Sequence, residues 1–419
     1  MTDIADQMIK IASQAKKAAR SLATISGEHK AAALNAMVQT LQDAKQELLT
    51  ANTADLEAAK LAGITGPILK RLEISDRVFA YMQNRLTEVA ALPDPVGRTL
   101  EGFVRPNGLQ VSKITVPIGV IGIIYESRPN VTSDAASVCL KSSNAVILRG
   151  GSESLRTNIV LAEAMIRAAT ATGIPEHTIQ IIRTPDREAV HHLLQQDQFI
   201  DVLIPRGGKS LIERISNESR IPVIKHYDGI CHQYLASDAA TDQAISIAVN
   251  SKCQRVEVCN ALETLLVDEA SAARLLPALK LAFDAQGVTL RGCAESCRLL
   301  PGIEAATKGD WSMEYLAPIL SLKVIPNLQA AIDHINTYGS GHTDGIVTNN
   351  MQTANAFVTA VDSGSVLVNA STRLSGGGDY GLGAVVGIST DKLHARGPVG
   401  PQELTSYKWV AYGNGHLRD

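Results

Sequence analysis

The chain has 419 residues, 45% of them apolar, and 39 Lys and Arg against 42 Asp and Glu give a formal net charge of −3. That length supports two or more domains with substantial cores, and the composition excludes a disordered chain. With charge so nearly balanced, nothing points to nucleic acid or an anionic membrane surface, so any anion site has to be a local cluster.

The first 90 or so residues read as helices, with Leu34, Met37, Val38, Leu41 and Leu48 at helical spacing in an Ala-, Gln- and Lys-rich stretch. The N-terminal MTDIADQMIKIASQAKK has no continuous apolar run and does not read as a signal peptide. FVRPNGLQVSK (103–113) places Asn-Gly between alternating stretches, a hairpin signal. VPIGVIGIIY (116–125) reads as one buried strand; it is about half the length of a membrane span. A cytoplasmic location is the default expectation.

SDAASVCLK (133–141) opens on capping residues and turns apolar, a helix start. AVILR (145–149) is a strand and SESLRTNIVLAEAMIRAAT (152–170) a helix, followed by strands at TIQII (178–182), DVLIP (201–205) and IPVIKH (221–226). Strands alternating with helices predict an α/β domain with a doubly wound parallel sheet and ligands beyond the carboxyl ends of its strands. A second such pattern follows a boundary near residue 229. Its strands are ETLLVD (263–268), VTLRG (288–292), APILSLKVI (317–325), DGIVTN (344–349) and SVLVNA (365–370), with a helix at AIDHINTYG (331–339). YKWVAYG (407–413) near the C-terminus reads as extended.

Two glycine-bearing turns join a strand to a helix. PRGGKS (205–210) lacks the first glycine of a Walker A loop, because Leu203 stands there. Its exposed N–H groups at a helix start, with Gly207, Gly208, Arg206, Lys209 and Ser210, still suit an anion. RGGSES (149–154), with Arg149, Gly150, Gly151, Ser152 and Glu153, repeats the arrangement one crossover earlier. Two such turns in one sheet suit the pyrophosphate and the adenosine ribose of a dinucleotide, although there is no GxGxxG fingerprint. An ordinary strand–helix turn is the alternative at both.

The six cysteines, Cys139, Cys231, Cys253, Cys259, Cys293 and Cys297, are too sparse for a secreted disulfide framework. No pair has CxxC spacing, and Cys293 and Cys297 lack a nearby histidine, so no resident metal is expected. In SKCQRVEVCNALETLL (251–266), Cys259 follows Lys252 and Arg255 at the turn entering a strand. Cys253 falls within a helix that has to pack. A thiolate needs positive neighbours or N–H groups, which Cys259 has; a small buried apolar residue is the alternative reading. GSGHTDGI (339–346), NASTR (369–373) and HARGP (394–398) are loops near strand ends, and Arg373 and Arg396 in them suit a carboxylate or phosphate.

YESRPNVTSDAASVCLKSSNAVILRGGSE, PRGGKSLI, VIKHYDG, QRVEVCNALETLL, EYLAPIL, INTYGSGHTDGIVT, NASTR and STDKLHARGP occur in this order. Together they resemble the γ-glutamyl phosphate reductase family of the aldehyde dehydrogenase superfamily over nearly the whole chain. The resemblance implies an aldehyde dehydrogenase-like fold. Residues 1–98 and 116–229 would form an NADP-binding domain, 230–395 a catalytic domain, and 99–115 with 396–419 a β-hairpin oligomerisation arm of a homodimer or homotetramer. It makes Cys259 the nucleophile, the RGGSE and PRGGKS turns the contacts of NADPH, and Glu314 the holder of the nicotinamide ribose. Asn130 falls near the oxyanion-stabilising asparagine. Arg128, Arg255 and Arg373 become clamps for the substrate's phosphate and α-carboxylate.

The implied reaction is the NADPH-dependent reduction of L-glutamyl 5-phosphate to glutamate 5-semialdehyde and phosphate through a thioester on Cys259, in proline biosynthesis. Channelling from a glutamate 5-kinase would suit so labile a substrate. KHYDG stands where oxidising relatives carry the glutamate of ELGG, which activates water against the thioester; a reductase has no use for that base. Two residues depart from the family pattern: Val256 stands where a proline is usual, and Glu257 replaces a small residue and is expected to turn away from the thiol. A CoA-dependent or oxidising enzyme of the same fold, and a non-catalytic NADP-binding scaffold, are the alternatives.

Overall fold

The computed structural model describes residues 3–418. Met1 and Thr2, at the start of the expected cofactor domain, and Asp419, at the end of the expected arm, lie outside them. Five helices lead the chain: α1 (Ile4–Leu22), α2 (Gly27–Asp43), α3 (Lys45–Leu61), α4 (Gly66–Leu72) and α5 (Asp76–Ala91). Ser26 starts α2 because its hydroxyl accepts the His29 N–H at 3.2 Å, satisfying one donor that the first turn cannot. Leu34, Met37, Leu41 and Leu48 are fully buried and Val38 packs beside them.

The stretch expected as one strand over 116–125 is two. β1 (Thr99–Val104) and β2 (Gln110–Pro117) form the hairpin, and β3 (Val120–Tyr125) belongs to a different sheet. The break is at Gly119, whose φ of +136 suits glycine, and a Cβ there would sit 2.3 Å from Asp201 Oδ2. β3 then pairs in parallel with β4 (Ala145–Arg149) and β6 (Val202–Arg206), and β5 (Ile179–Ile181) adds to β4, in the order β5-β4-β3-β6.

Side chains alternate across this sheet as period 2 demands. Ile121, Ile123 and Tyr125 enter the core under α2, α5, α6 (Val131–Lys141) and α7 (Leu155–Ala171). Val120 and Ile124 face the opposite core with α1, α8 (Arg187–Leu193) and α9 (Lys209–Glu218). Both faces are therefore covered, as a parallel sheet requires.

IPVIKH (221–226) is not a strand; only Val223 bridges Leu203. Pro222 has no N–H to give a ladder, and the chain leaves the sheet to carry Lys225–Gly229 into the cleft. A strand that the alternation did not suggest, β7 (Cys231–Leu235), follows. Its polar His232 and Gln233 are fully buried, and Asp344 Oδ1 takes the His232 backbone N–H at 2.8 Å and lies 3.1 Å from its Nδ1.

The second sheet is parallel throughout, in the order β10-β9-β11-β8-β7-β12-β13. Its further strands are β8 (Leu262–Asp268), β9 (Thr289–Gly292), β10 (Glu304–Ala305), β11 (Ile319–Ile325), β12 (Thr343–Val347) and β13 (Ser365–Val368). Leu265 and Val267 face α10 (Thr241–Cys253), α11 (Glu269–Asp284) and α12 (Ala294–Leu299). Leu266 faces α13 (Leu328–Tyr338) and α14 (Met351–Ala360). Between α10 and β8, Lys252 Nζ meets Glu263 Oε2 at 2.6 Å with both side chains fully buried.

β14 (Gly387–Ser389) pairs with β15 (Gly397–Val399), and β16 (Thr405–Tyr412) lies along β2, so the hairpin is one part of a three-stranded antiparallel sheet, β1-β2-β16. No helix among the described residues is long and apolar enough to cross a membrane.

Candidate active site

Cys259 lies in the turn between α10 and β8, half-buried. The loop from the first sheet passes directly over it. A Cβ on Gly229 would come within 1.9 Å of the Cys259 carbonyl oxygen, so only glycine lets the HYDG segment cross there. Behind the turn, the Cys231 thiol donates to the Cys259 carbonyl at 3.2 Å. Asn260 anchors the far side by donating to the Ser375 carbonyl at 2.9 Å. Among the described residues the Cys259 N–H donates to no protein acceptor.

The electrostatics separate the two cysteines of this stretch. Burial raises the Cys259 thiol, but the His226 imidazole and then Arg206 outweigh it against opposition from Glu314, and the net shift is downward. Burial raises Cys253, and Lys252 offsets only part of that. Glu257 is half-exposed and faces Arg255 at 3.9 Å, turned to the surface.

Arginines from separate elements gather around the sulfur. Burial brings Arg128 down to about 10, helped by Arg206, Arg71 and Arg255, while Cys259 acts the other way. Burial likewise lowers Arg373, which Cys259 stabilises and Arg255 opposes. Arg373 sits in the short helix Thr372–Leu374, its Nε donating to Gln254 Oε1 at 2.9 Å. The fold thus brings Arg128, Arg206 and Arg373 to one cysteine, and Arg255 acts on Arg128 and Arg373 from the surface. Arg71 on α4 acts on Arg128, and no local signal in the helical N-terminal stretch marked it. Arg396 is elsewhere, held by Asp362 Oδ1 at 2.7 Å. His226 and His342 also reach the cysteine. Neither belongs to a motif readable by spacing, because they come from different sheets.

Asn130 precedes α6 and donates from Nδ2 to Asp134 Oδ2 at 3.1 Å, which orients its amide. Burial pushes the Asp134 carboxyl up to about 7, with Asn130 pulling it down. Since that lies above the unfolded value of about 3.9, its contribution to stability is full below about pH 4 and falls away as pH rises through about 7. Asp134→Asn, which keeps an acceptor for Asn130, is expected to flatten the urea-midpoint profile between those limits, by at most roughly 4 kcal/mol.

The glycine turns are built as close approaches. β4 ends at Arg149, and a Cβ on Gly150 would lie 2.1 Å from Asn158 Nδ2; one on Gly151 would lie 2.2 Å from Glu153 Oε1. That Glu153 oxygen accepts from the Ser127 N–H at 2.8 Å and its hydroxyl at 2.7 Å. Ser152 begins the one-turn helix Ser152–Ser154 ahead of α7. Arg149 donates to the Gly150 and Pro185 carbonyls at 2.9 and 3.1 Å, and its buried Nε has no partner. At the second turn, β6 ends at Arg206 and α9 starts at Lys209, with Ser210 exposed in its first turn. The Gly208 N–H donates to Glu126 Oε2 at 2.9 Å, so a carboxylate already sits at the start of that helix. Lys209 pairs with Asp228 at 2.6 Å beside a cleft of about 570 Å³ that Tyr227, Asp228 and Ser340 also line. Glu314 is half-buried and accepts the Gly229 N–H at 2.9 Å, and burial raises its carboxyl.

A cysteine in the turn between two parallel sheets, with glycine turns at the strand ends of one of them, agrees with the family comparison. The aldehyde dehydrogenase family profile matches residues 3–303 and 305–381. The chain belongs to the aldehyde dehydrogenase family. Members of that family use a nicotinamide cofactor. Within it, the chain is similar to γ-glutamyl phosphate reductase of Thermotoga maritima. The two are 38% identical over 99% of this chain and 100% of the other, with a TM-score of 0.96. γ-Glutamyl phosphate reductase of Saccharomyces cerevisiae is 31% identical over 98% of both chains, with a TM-score of 0.54. An acetylating aldehyde dehydrogenase of Geobacillus thermoglucosidasius shares the fold over 100% of both chains at 19% identity and a TM-score of 0.70.

Proposed function

We propose that this chain reduces L-glutamyl 5-phosphate to L-glutamate 5-semialdehyde and phosphate, with NADPH, through a thioester on Cys259. The observation that carries the reading is the gathering of Arg128 and Arg373 around a thiol lowered by His226 and Arg206. An acyl phosphate bearing an α-carboxylate is strongly anionic, and guanidinium groups bind both ends as charge-assisted forks. The two γ-glutamyl phosphate reductases similar to it support the same substrate.

The residues fit a nicotinamide dinucleotide on three counts. Among the described residues the buried Arg149 Nε has no partner, which leaves that guanidinium a donor to satisfy. A Cβ at Gly150 or Gly207 would strike Asn158 or Glu126, so both turns keep bare backbone at the strand ends. The Glu126 carboxylate at Gly208 marks the start of α9 as a place for negative charge. Arg149 to Glu153 would hold the adenosine ribose, Arg206 to Ser210 the pyrophosphate, and Glu314 the nicotinamide ribose. The bound nicotinamide supplies hydride for reduction of the thioester.

The chain's own part begins with the Cys259 thiolate, which attacks the acyl carbon while the arginines neutralise the departing phosphate. The uncommitted Cys259 N–H and the Asn130 amide are the donors for the oxyanion. His226, in the KHYDG stretch, lies beside the sulfur. There it stabilises the thiolate and returns a proton when the thiohemiacetal collapses.

The testing experiment is the reverse reaction: semialdehyde, phosphate and NADP⁺, with NADPH appearance followed by absorbance. Phosphate-dependent reduction supports the reading. Activity that needs coenzyme A, or none of either, favours the acylating or hydrolytic relatives.

Cofactor choice rests on Arg149. Arg149→Ala is expected to weaken NADPH on the order of tenfold more than NADH, because a charged hydrogen bond to a 2′-phosphate is lost. Equal weakening in a fluorescence titration removes Arg149 from that role.

The sheet β1-β2-β16 projects Phe103, Val104, Tyr407, Trp409 and Tyr412, all exposed, and Lys113 lies 3.9 Å over the Tyr407 ring. Such a cluster of exposed aromatic and apolar side chains on one sheet suits a second copy of the chain, and the division into cofactor domain, catalytic domain and arm rests on the same reading. Sedimentation at micromolar concentration is expected to show a dimer or tetramer; a fully active monomer overturns it.

A further inference from the structure

Three side chains from separate segments meet at the reactive sulfur. His226 comes from the loop after the Val223 bridge, Cys259 from the turn before β8, and His342 from the residue before β12. Among the described residues, one donor atom of each lies within 4.8 Å of the other two. The two imidazole rings stand edge to face, with centroids 5.5 Å apart.

His342 is the informative member. It is fully buried. Its Nδ1 lies 2.9 Å from Thr343 Oγ1, and that hydroxyl donates onward to Ser375 Oγ at 2.9 Å. A hydroxyl that gives its proton to Ser375 must accept from His342, so Nδ1 carries the hydrogen and Nε2 the lone pair. Nε2 is buried and has no partner among the described residues. Burial also keeps the ring neutral, pushing it down to about 4. The acyl-transfer chemistry gives that nitrogen nothing to do.

We propose that His226, Cys259 and His342 form a site for a borderline-soft divalent cation of the zinc class, which caps the nucleophile and reversibly silences the enzyme. Two imidazoles and a thiolate are the donors such ions prefer, and three protein ligands leave a fourth position for water or a substrate oxygen. Tetrahedral bonds of about 2.0–2.3 Å put donor atoms about 3.3–3.6 Å apart, so the present triangle contracts by at most about 1.5 Å. Side-chain rotation of the half-buried His226 and Cys259 supplies that movement. On binding, the thiol, and His226 wherever it holds a second proton, give their protons to solvent, both imidazoles coordinate through a lone pair, and no electrons are transferred. The surrounding arginines oppose a dication, while the Glu314 charge, which acts on both Cys259 and His342, favours it. The affinity therefore falls well below that of a structural zinc site. Such an ion is an inhibitor and not a resident cofactor, and the site stands on its geometry whatever acyl group the enzyme takes.

The test is cobalt(II) titration of the full-length, chelator-treated, reduced protein, read by absorbance and by iodoacetamide labelling of Cys259. One equivalent of cobalt is expected to give a thiolate-to-metal charge-transfer band in the near ultraviolet. Zinc should protect Cys259 from alkylation, and chelator should restore labelling; magnesium should do neither. Cys259→Ala should abolish the band, and His342→Ala should weaken cobalt at least tenfold. His226→Ala, read the same way, serves if His342→Ala does not fold. Absence of the band overturns the proposal. So does cobalt affinity unchanged in the histidine variants, since the thiol would then be binding the metal alone.

Discussion

Cys259→Ala is expected to lower turnover on the order of 10³-fold or more while cofactor binding persists. A nucleophile acts only when the acyl carbon is attacked, so its loss leaves the glycine turns at Arg149 and Arg206 untouched. Cys253→Ala is expected to cost only stability, roughly 1 kcal/mol, because Cys253 packs against the core beneath α10 and burial holds its thiol protonated. Limited iodoacetamide treatment followed by mass spectrometry separates the two. Label is expected on Cys259 first, in step with loss of activity. An inactivated enzyme labelled at Cys253 and not at Cys259 sinks the assignment. Cys293, whose thiol is also lowered because hydrogen bonds from Ser296 outweigh its burial, is the site to watch for slower labelling.

The second large effect is expected at Lys252→Met, about 3–5 kcal/mol of destabilisation in urea denaturation at neutral pH. Lys252 and Glu263 are both fully buried, and removing the ammonium strands a carboxylate where water does not reach. Burial already pushes Glu263 up to about 7, with Lys252 pulling it down. Without the lysine it rises further and accepts a proton. The variant should therefore lose less at about pH 5.5 than at about pH 8. A loss that does not vary with pH would mean that packing and not charge sets the cost. Lys252→Met with Glu263→Leu together should recover much of the stability, short of the bond from the Leu316 N–H to Glu263, which spans 3.2 Å.

The pair also shows why the stretch from 251 to 266 reads ambiguously as sequence. Lys252 and Arg255 look alike as positive neighbours of Cys259. In the structure Lys252 points away into the core beneath the sheet, and Arg255 stands at the surface among the groups that act on Arg128 and Arg373. Helical spacing separates them only once the end of α10 at Cys253 is known.

Local physics settled most of the strands and helices. β-branched runs bounded by glycine and polar caps predicted β3, β4, β6 and β8, and the Asn-Gly turn predicted the hairpin. It failed where tertiary partners override pattern. β7 was missed because His232 looks like a surface residue until Asp344, 112 positions later, takes its backbone N–H. IPVIKH was overread because its apolar residues serve a crossing loop and not a ladder. The RGG turns stand out in the sequence as glycines between a strand and a helix start, and Cys259 by its place at the turn entering a strand and its match to the family motif, since charge alone does not separate it from Cys253.

What the amino-acid order determined by itself is therefore the set of elements, two layers of alternating strand and helix, and the family motifs spread along them. What only the tertiary structure decided is which side chains share the cleft. His226, Cys259 and His342 come from three segments, and nothing in local spacing relates them. They meet because Gly229 lets the loop from one sheet pass over the Cys259 carbonyl of the other. A long-range approach of that kind depends on the packing of both sheets, to which short windows of sequence are blind.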